Sequence, residues 1–375
     1  MRVLVTGGAG FIGSHLVDGL ISDGHSVVIY DSLDPQVHPG GFLPEYLNPA
    51  AEFIVGTVTD RAKLKAYVQG ADVIYHLAAS VGVAQSQYQI ARYADSIIRG
   101  TATLLDILAN EKCNVQKLIA LSSMTCYGEG NYHCVGCGEV RPNLRTGSEI
   151  EKYGWEPVCP ICDGKISSIG IREKADLFTN SIYAVCKKAH EELIIGTAKL
   201  YELQTTIFRC FDVYGPRQYF GNPHAGVVAI FSGRILKGED IIIFEDGNQT
   251  RDFIFVSDVV DILKQAGGDN QDKLVRILNV GSGVGISIKE IAEKLIEISG
   301  KNIKLKFTKQ FRKGDIRNCD ADTRQLSNLM DGMRLTELES GLRTTFEWAR
   351  SQKTGVFGDF DKSIEDLKSR GLITS

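Results

Sequence analysis

The chain has 375 residues, and its 42 Lys and Arg against 46 Asp and Glu give a formal net charge of −4. This near balance, without any block of basic residues, argues against nucleic acid as a partner. No uninterrupted apolar stretch of about 18 residues predicts a membrane span. A chain of this length can bury one large α/β core or two lobes.

The N-terminal residues have the pattern of a nucleotide-binding turn between a strand and a helix. Met1–Val5 is a short apolar run that predicts a buried parallel strand, and the apolar stretch Phe11–Ile21 predicts a helix. Between them, Gly7 allows a tight turn and Gly10 lets the backbone approach a pyrophosphate. Gly13 lets the helix pack closely on the sheet. The phosphates would then lie at the positive helix N-terminus.

Asp31 strengthens this prediction. It ends a second predicted strand, Ser26–Tyr30, about 20 residues beyond the glycines, where an acidic side chain binds a ribose 2′-hydroxyl. This favours NAD over NADP. The alternative is that Asp31 only caps a turn.

Strand and helix patterns alternate up to about residue 125, as in a doubly wound parallel sheet. The strand-like runs are Arg2–Val5, Ser26–Tyr30, Glu52–Val55, Asp72–Leu77 and Lys117–Leu121. The helix-like runs include Phe11–Asp23, Arg61–Val68 and Thr101–Asn110. We expect ligands at the carboxyl ends of these strands.

The rest of the chain is less regular. Residues Gly128–Thr179 break the alternation, and a predicted helix Tyr183–Glu202 and strand Thr205–Arg209 follow. We predict a nucleotide-binding domain at 1–128 and 179–212, an inserted loop at 129–178, a smaller mixed α/β substrate lobe mainly at 213–350, and an amphipathic C-terminal tail at 351–375.

A candidate catalytic set follows the fifth predicted strand. Ser123 stands at the strand end, and the YxxxK spacing places Tyr183 and Lys187 on one helical face. A cationic Lys beside a phenol lowers its pKa, so the Tyr could act as a base. The Ser hydroxyl would hold the substrate oxygen. The spacing alone carries little information and gains weight from the nucleotide-binding pattern.

Two CxxC pairs mark the inserted loop. Cys134 and Cys137 form the first, and Cys159 and Cys162 form the second. Four thiolates at this spacing predict a closed structural zinc site, with disulfides or unliganded cysteines as the alternative. The other five cysteines are scattered, which favours a cytoplasmic protein. Because the chain starts with its first strand, we expect no signal peptide.

Eight motifs together carry a family resemblance. They are TGGAGFIG at 6–13, HLAA at 76–79, SSMTCYG at 122–128, YxxxK at 183–187, FRCFDVYGPRQ at 208–218, QTRDFIFVSDV at 249–259, NVGSG at 279–283 and RKGDIRNCDAD at 312–322. With them the chain resembles the extended short-chain dehydrogenase/reductase family, in its nucleotide-sugar epimerase/dehydratase branch, over nearly all of residues 1–350.

The resemblance implies an α/β Rossmann fold, a bound NAD and catalytic roles for Ser123, Tyr183 and Lys187. The expected cofactor contacts are Gly7, Gly10, Phe11, Ile12, Gly13, Asp31, Val58, Leu77, Ala78, Ala79, Tyr183 and Lys187. Arg251 and Arg312 match the family's diphosphate-binding arginines, and Arg217 and His224 are weaker substrate-binding candidates. A homodimer built on two of the helices is also implied.

The residues after Ser123 bear on the reaction. Related dehydratases carry an Asp and a Glu there, where this chain has Met124 and Thr125, and neither side chain is an acid or base at neutral pH. We keep Thr125 in the catalytic set. The resemblance thus implies 4-epimerisation of a dTDP- or UDP-sugar through a 4-keto intermediate, and the insertion resembles that of dTDP-L-rhamnose 4-epimerases.

Other functions stay open at this point. One is a different conversion on the same scaffold, such as a 4-ketoreductase, 2-epimerase or dehydratase; Asp31 disfavours a reductase because it would repel the 2′-phosphate of NADPH. Another is a non-catalytic NAD-binding regulator that uses the zinc loop to contact a partner. Thr57, Ile97 and Asp212 depart from the family's usual residues at positions near the ligands.

Overall fold

The computed structural model describes residues 1–222, 226–269, 273–329, 334–352, 358 and 360–374. Its strands are β1 (Arg2–Thr6), β2 (Ser26–Asp31), β3 (Glu52–Val55), β4 (Val73–His76), β5 (Lys117–Ser123), β6 (Asn131–Cys134), β7 (Gly138–Val140), β8 (Ile166–Ile169), β9 (Gln204–Cys210), β10 (Asp212–Tyr214), β11 (Ile241–Ile243), β12 (Thr250–Phe255), β13 (Val275–Val280), β14 (Gly285–Ser287), β15 (Leu305–Phe307), β16 (Phe311–Arg312) and β17 (Ile373–Thr374).

The helices follow the strands in alternation through the first half of the chain. They are α1 (Phe11–Ser22), α2 (Arg61–Gln69), α3 (Val83–Ser86), α4 (Ile90–Tyr93), α5 (Gly100–Asn110), α6 (Gly147–Tyr153), α7 (Ile182–Tyr201), α8 (Val227–Lys237), α9 (Val256–Gly268), α10 (Ile288–Ser299), α11 (Arg324–Ser327), α12 (Leu338–Ser351) and α13 (Phe360–Ser369). A π-helical stretch, Ala94–Arg99, runs directly into α5.

A seven-stranded parallel sheet forms the main layer, in the order β13-β9-β5-β4-β1-β2-β3. Its central strands are buried on both faces, which explains their continuous apolar runs. The strand order reverses between β1 and β4, and ligands of such folds bind at this point. The predicted doubly wound α/β fold is confirmed.

The smaller lobe is interleaved with the sheet. Its own core gathers apolar side chains from α8, α10, α12 and the short strands around them, with Phe231, Ile243, Leu295 and Phe346 among its buried residues. However, β13 extends the large sheet beside β9, and α9 packs on α1. The elements α9 and β13, which fall within the predicted substrate lobe at 213–350, therefore belong to the nucleotide-binding layer, because β13 covers the outer edge of β9.

The inserted loop and the C-terminal tail both have regular structure. In the insertion, β7, β6 and β8 form a three-stranded antiparallel sheet. In the tail, α13 is followed by β17, which pairs with β16. Among the described residues, no helix is both long and apolar enough to cross a membrane.

Candidate active site and cysteine cluster

A cavity of about 770 Å³ lies at the carboxyl ends of β1, β4 and β5, between the sheet and the smaller lobe. Most of the residues predicted to bind ligands meet in its wall. They are Gly7, Gly10, Phe11, Ile12, Gly13, Asp31, Val58, Leu77, Ala78, Ala79, Ser123, Thr125, Tyr183, Lys187, Arg251 and Arg312.

The glycine-rich turn at one end of the cavity leaves no room for side chains. Gly7 has a φ of +72°, and a Cβ there would lie 2.8 Å from the Ala78 nitrogen; a Cβ at Gly13 would lie 2.3 Å from the Gly7 carbonyl oxygen. At the N-terminus of α1, Gly10 provides no side-chain cap. The turn thus presents a bare backbone and the positive end of a helix to the cavity, which suits the pyrophosphate of a dinucleotide.

Asp31 braces this turn. Its Oδ2 accepts a hydrogen bond from the Ala9 nitrogen at 3.1 Å, and its Oδ1 accepts one from the Leu33 nitrogen at 2.9 Å. The carboxylate therefore caps a turn, as the alternative reading held, while still lining the cavity. A carboxylate accepts several hydrogen bonds at once, so the two roles are compatible.

Ser123 and Tyr183 are brought to the cavity by β5 and α7. Ser181 caps α7 by accepting a hydrogen bond from the Ala184 nitrogen at 3.2 Å, and this fixes the first turn that carries Tyr183. The Ser123 Oγ accepts hydrogen bonds from the Thr125 hydroxyl at 3.0 Å and the Thr125 nitrogen at 3.2 Å. Since two donors occupy its lone pairs, the Ser123 hydroxyl proton is left to donate.

In this structure the Lys187 amine forms no hydrogen bond with the Tyr183 hydroxyl. Burial raises the pKa of Tyr183 well above its usual value, and the Ser123 hydroxyl opposes this by hydrogen bonding. The Lys187 amine donates instead to the Leu121 carbonyl at 2.7 Å and lies 6.0 Å from the centre of the Tyr183 ring. Burial lowers the pKa of Lys187 to about 8. Burial is thus the largest influence on the pKa of both side chains.

The two strongest arginine candidates, Arg251 and Arg312, differ in how many hydrogen-bond donors they keep available for a ligand. Arg251 donates to the carbonyls of Thr250, Ile316 and Arg317 and to Asp315 Oδ1, at 2.7 to 3.1 Å. Its terminal nitrogens are thus committed to the protein.

Arg312 is less committed. It stacks over Phe244 at 5.0 Å, and its buried Nε lies 3.3 Å from Asp315 Oδ2. Its two terminal nitrogens form no hydrogen bond with the described residues. Of the two, Arg312 retains more donors for an anionic ligand.

Of the two weaker candidates, the structure describes only Arg217, and it does not join this set. Arg217 is absent from the cavity wall: it pairs with Asp18 on α1 at 2.7 Å and stacks on Tyr46 at 5.2 Å. His224 lies outside the described residues.

The three departures from the family pattern lie in different environments. Thr57 lines the cavity near the end of β3, whereas Ile97 is buried against Tyr93 and Tyr183. Asp212 lines the cavity, and its buried Oδ2 has no hydrogen-bond partner.

Four apolar residues of the tail line the cavity, which the sequence did not predict. They are Phe360, Ile364, Leu367 and Leu372. The first three follow i, i+4, i+7 spacing, which marks one face of a helix. The spacing revealed an amphipathic helix but not what its apolar face covers.

The four insertion cysteines form one cluster. The sulfur atoms of Cys134, Cys137, Cys159 and Cys162 all lie within 4.8 Å of one another, and none is in a disulfide. Four thiolate ligands at such separations fit a tetrahedral ion with metal–sulfur bonds of about 2.3 Å. The adjacent His133 is exposed and is not part of the cluster.

The insertion contacts the substrate side without lining the cavity. No residue of 129–178, all of which the structure describes, belongs to the cavity wall. The Glu129 carboxylate accepts hydrogen bonds from the nitrogens of Arg317 and Asn318, at 2.8 and 2.9 Å, and from the Tyr132 hydroxyl at 2.7 Å. The insertion thus holds the chain segment that binds Arg251.

Comparison with known proteins agrees with this geometry. The chain matches the NAD dependent epimerase/dehydratase family over residues 3–143 and 163–281. The chain belongs to this family and is an NAD-dependent enzyme of the epimerase class.

Several of the similar proteins are epimerases. The chain is 30% identical over 331 residues to a dTDP-L-rhamnose 4-epimerase of Burkholderia thailandensis, covering 88% of this chain and 89% of that protein. It is 32% identical to a UDP-glucose 4-epimerase of Mycolicibacterium smegmatis, covering 94% and 99%. The solved UDP-N-acetylglucosamine 4-epimerase of Methanobrevibacter ruminantium superposes with a TM-score of 0.75 at 30% identity, covering 94% and 99%.

Proposed function

We propose that the protein interconverts the C4 epimers of a nucleotide-diphosphate sugar through a transient 4-keto sugar. The observation that carries this proposal is the convergence of the Ser123 and Tyr183 side chains on a cavity whose other end is the glycine-rich turn. Bound NAD⁺ would accept the hydride from C4 and later return it. The name of the Burkholderia relative supports C4 as the reacting carbon.

The protein's own residues would move and hold the proton. Ser123, oriented by Thr125, donates a hydrogen bond to the C4 oxygen. Tyr183 removes the proton from that hydroxyl as the C–H bond at C4 breaks. It returns the proton after the keto sugar has rotated to present its other face to the hydride. Lys187, fixed to Leu121, lies behind the ring. Its positive charge, and that of the oxidised cofactor, would favour the phenolate against the burial that opposes it.

The two residues after Ser123 favour epimerisation over the elimination of water. Met124 and Thr125, which follow Ser123, supply no carboxylate to the sugar ring. Asp31 at the end of β2 supports binding of NAD over NADP. A reductase would instead use exchangeable NADPH as its hydride donor.

The substrate class is a dTDP- or UDP-sugar. Arg312 keeps its two terminal nitrogens for the diphosphate, and Arg251 holds the loop that carries Asp315 beside it. Arginine suits this role because its planar fork binds two oxygens of a diphosphate at once. The balanced charge of the chain gives no support to nucleic acid or a membrane surface as further partners.

The cysteine cluster would hold a structural zinc ion. Four thiolates leave no open coordination position, and the cluster lies outside the cavity wall, so the ion would take no part in the chemistry. Free thiols at all nine cysteines support a cytoplasmic location.

We also propose a homodimer formed through α5 and α7. The two helices pack on each other, and α7 leaves Val185, Leu193 and Leu200 exposed at 46%, 36% and 80%. Such apolar residues on one long helix suit an isologous interface with a second copy. Light scattering of the purified protein tests this.

Purified protein without added cofactor, incubated with dTDP-, UDP- and GDP-sugars, tests the reaction. We expect a product of unchanged mass with inverted proton coupling at C4, observed by mass spectrometry and NMR. Loss of water or carbon dioxide would instead show that acid and base groups reach the sugar from elsewhere.

A further inference from the structure

The last described segment of the chain lies across the cavity. Its helix α13 turns Ile364 and Leu367 inward, where they are only 7% and 4% exposed. Both line the cavity together with Phe360 before them and Leu372 after the helix. An amphipathic helix normally buries such a face against a packed core. Here the same face also borders the space that holds Tyr183 and Arg312.

One end of the segment is attached to the smaller lobe. Asp361 pairs with Arg234 of α8 at 2.7 Å, and Phe360 lies 6.0 Å beneath the same guanidinium. The Arg234 side chain in this pair is buried, whereas that of Asp361 is 55% exposed. Lys237, at the end of α8, donates to the Gly358 carbonyl at 3.0 Å. The start of α13 is therefore fixed over the lobe that we assign to the substrate.

The other end contacts both sides of the cavity. β17 pairs with β16 so that Ile373 lies opposite Arg312, and the Lys313 nitrogen donates to the Leu372 carbonyl at 2.9 Å. Arg370 lies 4.2 Å over the ring of Tyr88, which follows α3 in the first half of the chain. The segment thus bridges the two halves and is hydrogen-bonded to the strand that carries Arg312.

We propose that residues 360–374 are a substrate-binding element that closes the cavity over the nucleoside-diphosphate part of the substrate and holds Arg312 toward it. The apolar face of α13 supplies a dry wall, which strengthens the charge–charge contact between Arg312 and a diphosphate. The NAD site is formed by the turn after β1, on the opposite side, and should not depend on this segment. The proposal rests on the proposed function.

Two variants of the full holoenzyme test the two halves of the proposal. Ile364→Ala with Leu367→Ala removes the wall while keeping the helix, and a chain ending at Gly371 removes β17 while keeping α13. For each we expect KM for the sugar nucleotide, and Kd for UDP and dTDP by calorimetry, to rise roughly 5- to 50-fold. We expect kcat and the NAD content to stay within about twofold.

Lys368→Ala is the matched control, because Lys368 is exposed on the same helix. It should leave KM, Kd and kcat unchanged. Wild-type KM and Kd in both test variants, with unchanged thermal unfolding, would overturn the proposal. So would a fall in kcat or NAD content at constant KM. If the wild-type protein itself bound neither UDP nor dTDP and converted no sugar nucleotide, the proposed function would have failed instead.

Discussion

The two halves of the cavity are built in different ways. The NAD side comes from strand ends and turns in the first part of the chain, where Gly7 and Gly13 let backbone touch backbone. The substrate side is assembled from distant segments: β12 carries Arg251, β16 carries Arg312, and the insertion and the tail hold both in place. The first half is thus set by local backbone geometry, and the second by long-range hydrogen bonds and ion pairs.

This difference predicts that substitutions on one side alter the binding of NAD without altering the binding of the sugar nucleotide, and the reverse. The rate of the reaction, kcat, should depend on the residues between the two sides. Tyr183→Phe should lower kcat roughly 10²- to 10⁴-fold, because the phenol that moves the proton is gone while its ring still packs on Tyr93. NAD content and Kd for UDP should not change. Tyr201→Phe, exposed on the same helix, is the control. Retained turnover would assign the base to another group.

Gly13→Ala should break the NAD side alone. The new Cβ would lie 2.3 Å from the Gly7 carbonyl oxygen, and backbone cannot move aside as a flexible side chain does. We expect loss of bound NAD, measured by absorbance after denaturation, and a destabilisation of about 1–3 kcal/mol. Gly268→Ala is the control, since its Cβ would meet nothing within 4 Å. A variant that kept its NAD would contradict the tight turn.

The same difference decides what the sequence could predict. The strand Glu52–Val55 was predicted with its observed bounds, and α1 was predicted to within one residue, because local apolar patterns and glycines determine both. The cysteine cluster followed from spacing. The place of β13 in the sheet and the π-helical stretch before α5 were not foreseen.

The contacts of the substrate side were hidden for a physical reason. Arg251 is bound by carbonyls about 65 residues away in the chain, and nothing in the local pattern around it signals those partners. Arg217, a substrate-binding candidate from the motif at 208–218, forms an ion pair with Asp18 on α1. The motifs identified arginines as substrate-binding candidates. The fold decides which of their guanidinium groups remains available to a ligand.

Changing the cysteine cluster should sharpen the comparison, because the insertion that carries it holds the loop that binds Arg251. Cys134→Ser with Cys162→Ser should abolish zinc binding in elemental analysis and raise KM for the sugar nucleotide roughly 5- to 50-fold, or about 1–2 kcal/mol. The reason is that Glu129, at the base of the insertion, holds the nitrogens of Arg317 and Asn318.

Bound NAD should stay unchanged in that variant. Cys113→Ser, which replaces a cysteine outside the cluster, should keep both zinc and KM at wild-type values. Zinc content that survived the double substitution would show that these thiols are not the ligands. A normal KM after zinc loss would show that the insertion does not hold the substrate loop.

Asp212 should give the smallest effect, and one that depends on pH. Burial raises the pKa of its carboxyl to about 6 from an ordinary 3.8; Arg251 opposes this rise, while Asp252 and Asp315 add to it. Between these two pH values the folded protein binds more protons than the unfolded chain, so stability falls as pH rises. Below about pH 4 the carboxyl is protonated in both states and this cost disappears.

Asp212→Asn should therefore be more stable than the wild type at pH 8. The shift sets an upper limit of about 3 kcal/mol, and we expect about 1–2 kcal/mol because the residue is only half-buried beside the water-accessible cavity. Thermal unfolding at pH 4, 6 and 8 measures this, with Asp366→Asn on the exposed face of α13 as the control. A gain of equal size at all three pH values would mean that the amide makes a new contact. No gain at pH 8 would mean that Asp212 is ionised in the folded protein at little cost. The arginines of the substrate side would then stabilise its charge, although its Oδ2 has no hydrogen-bond partner.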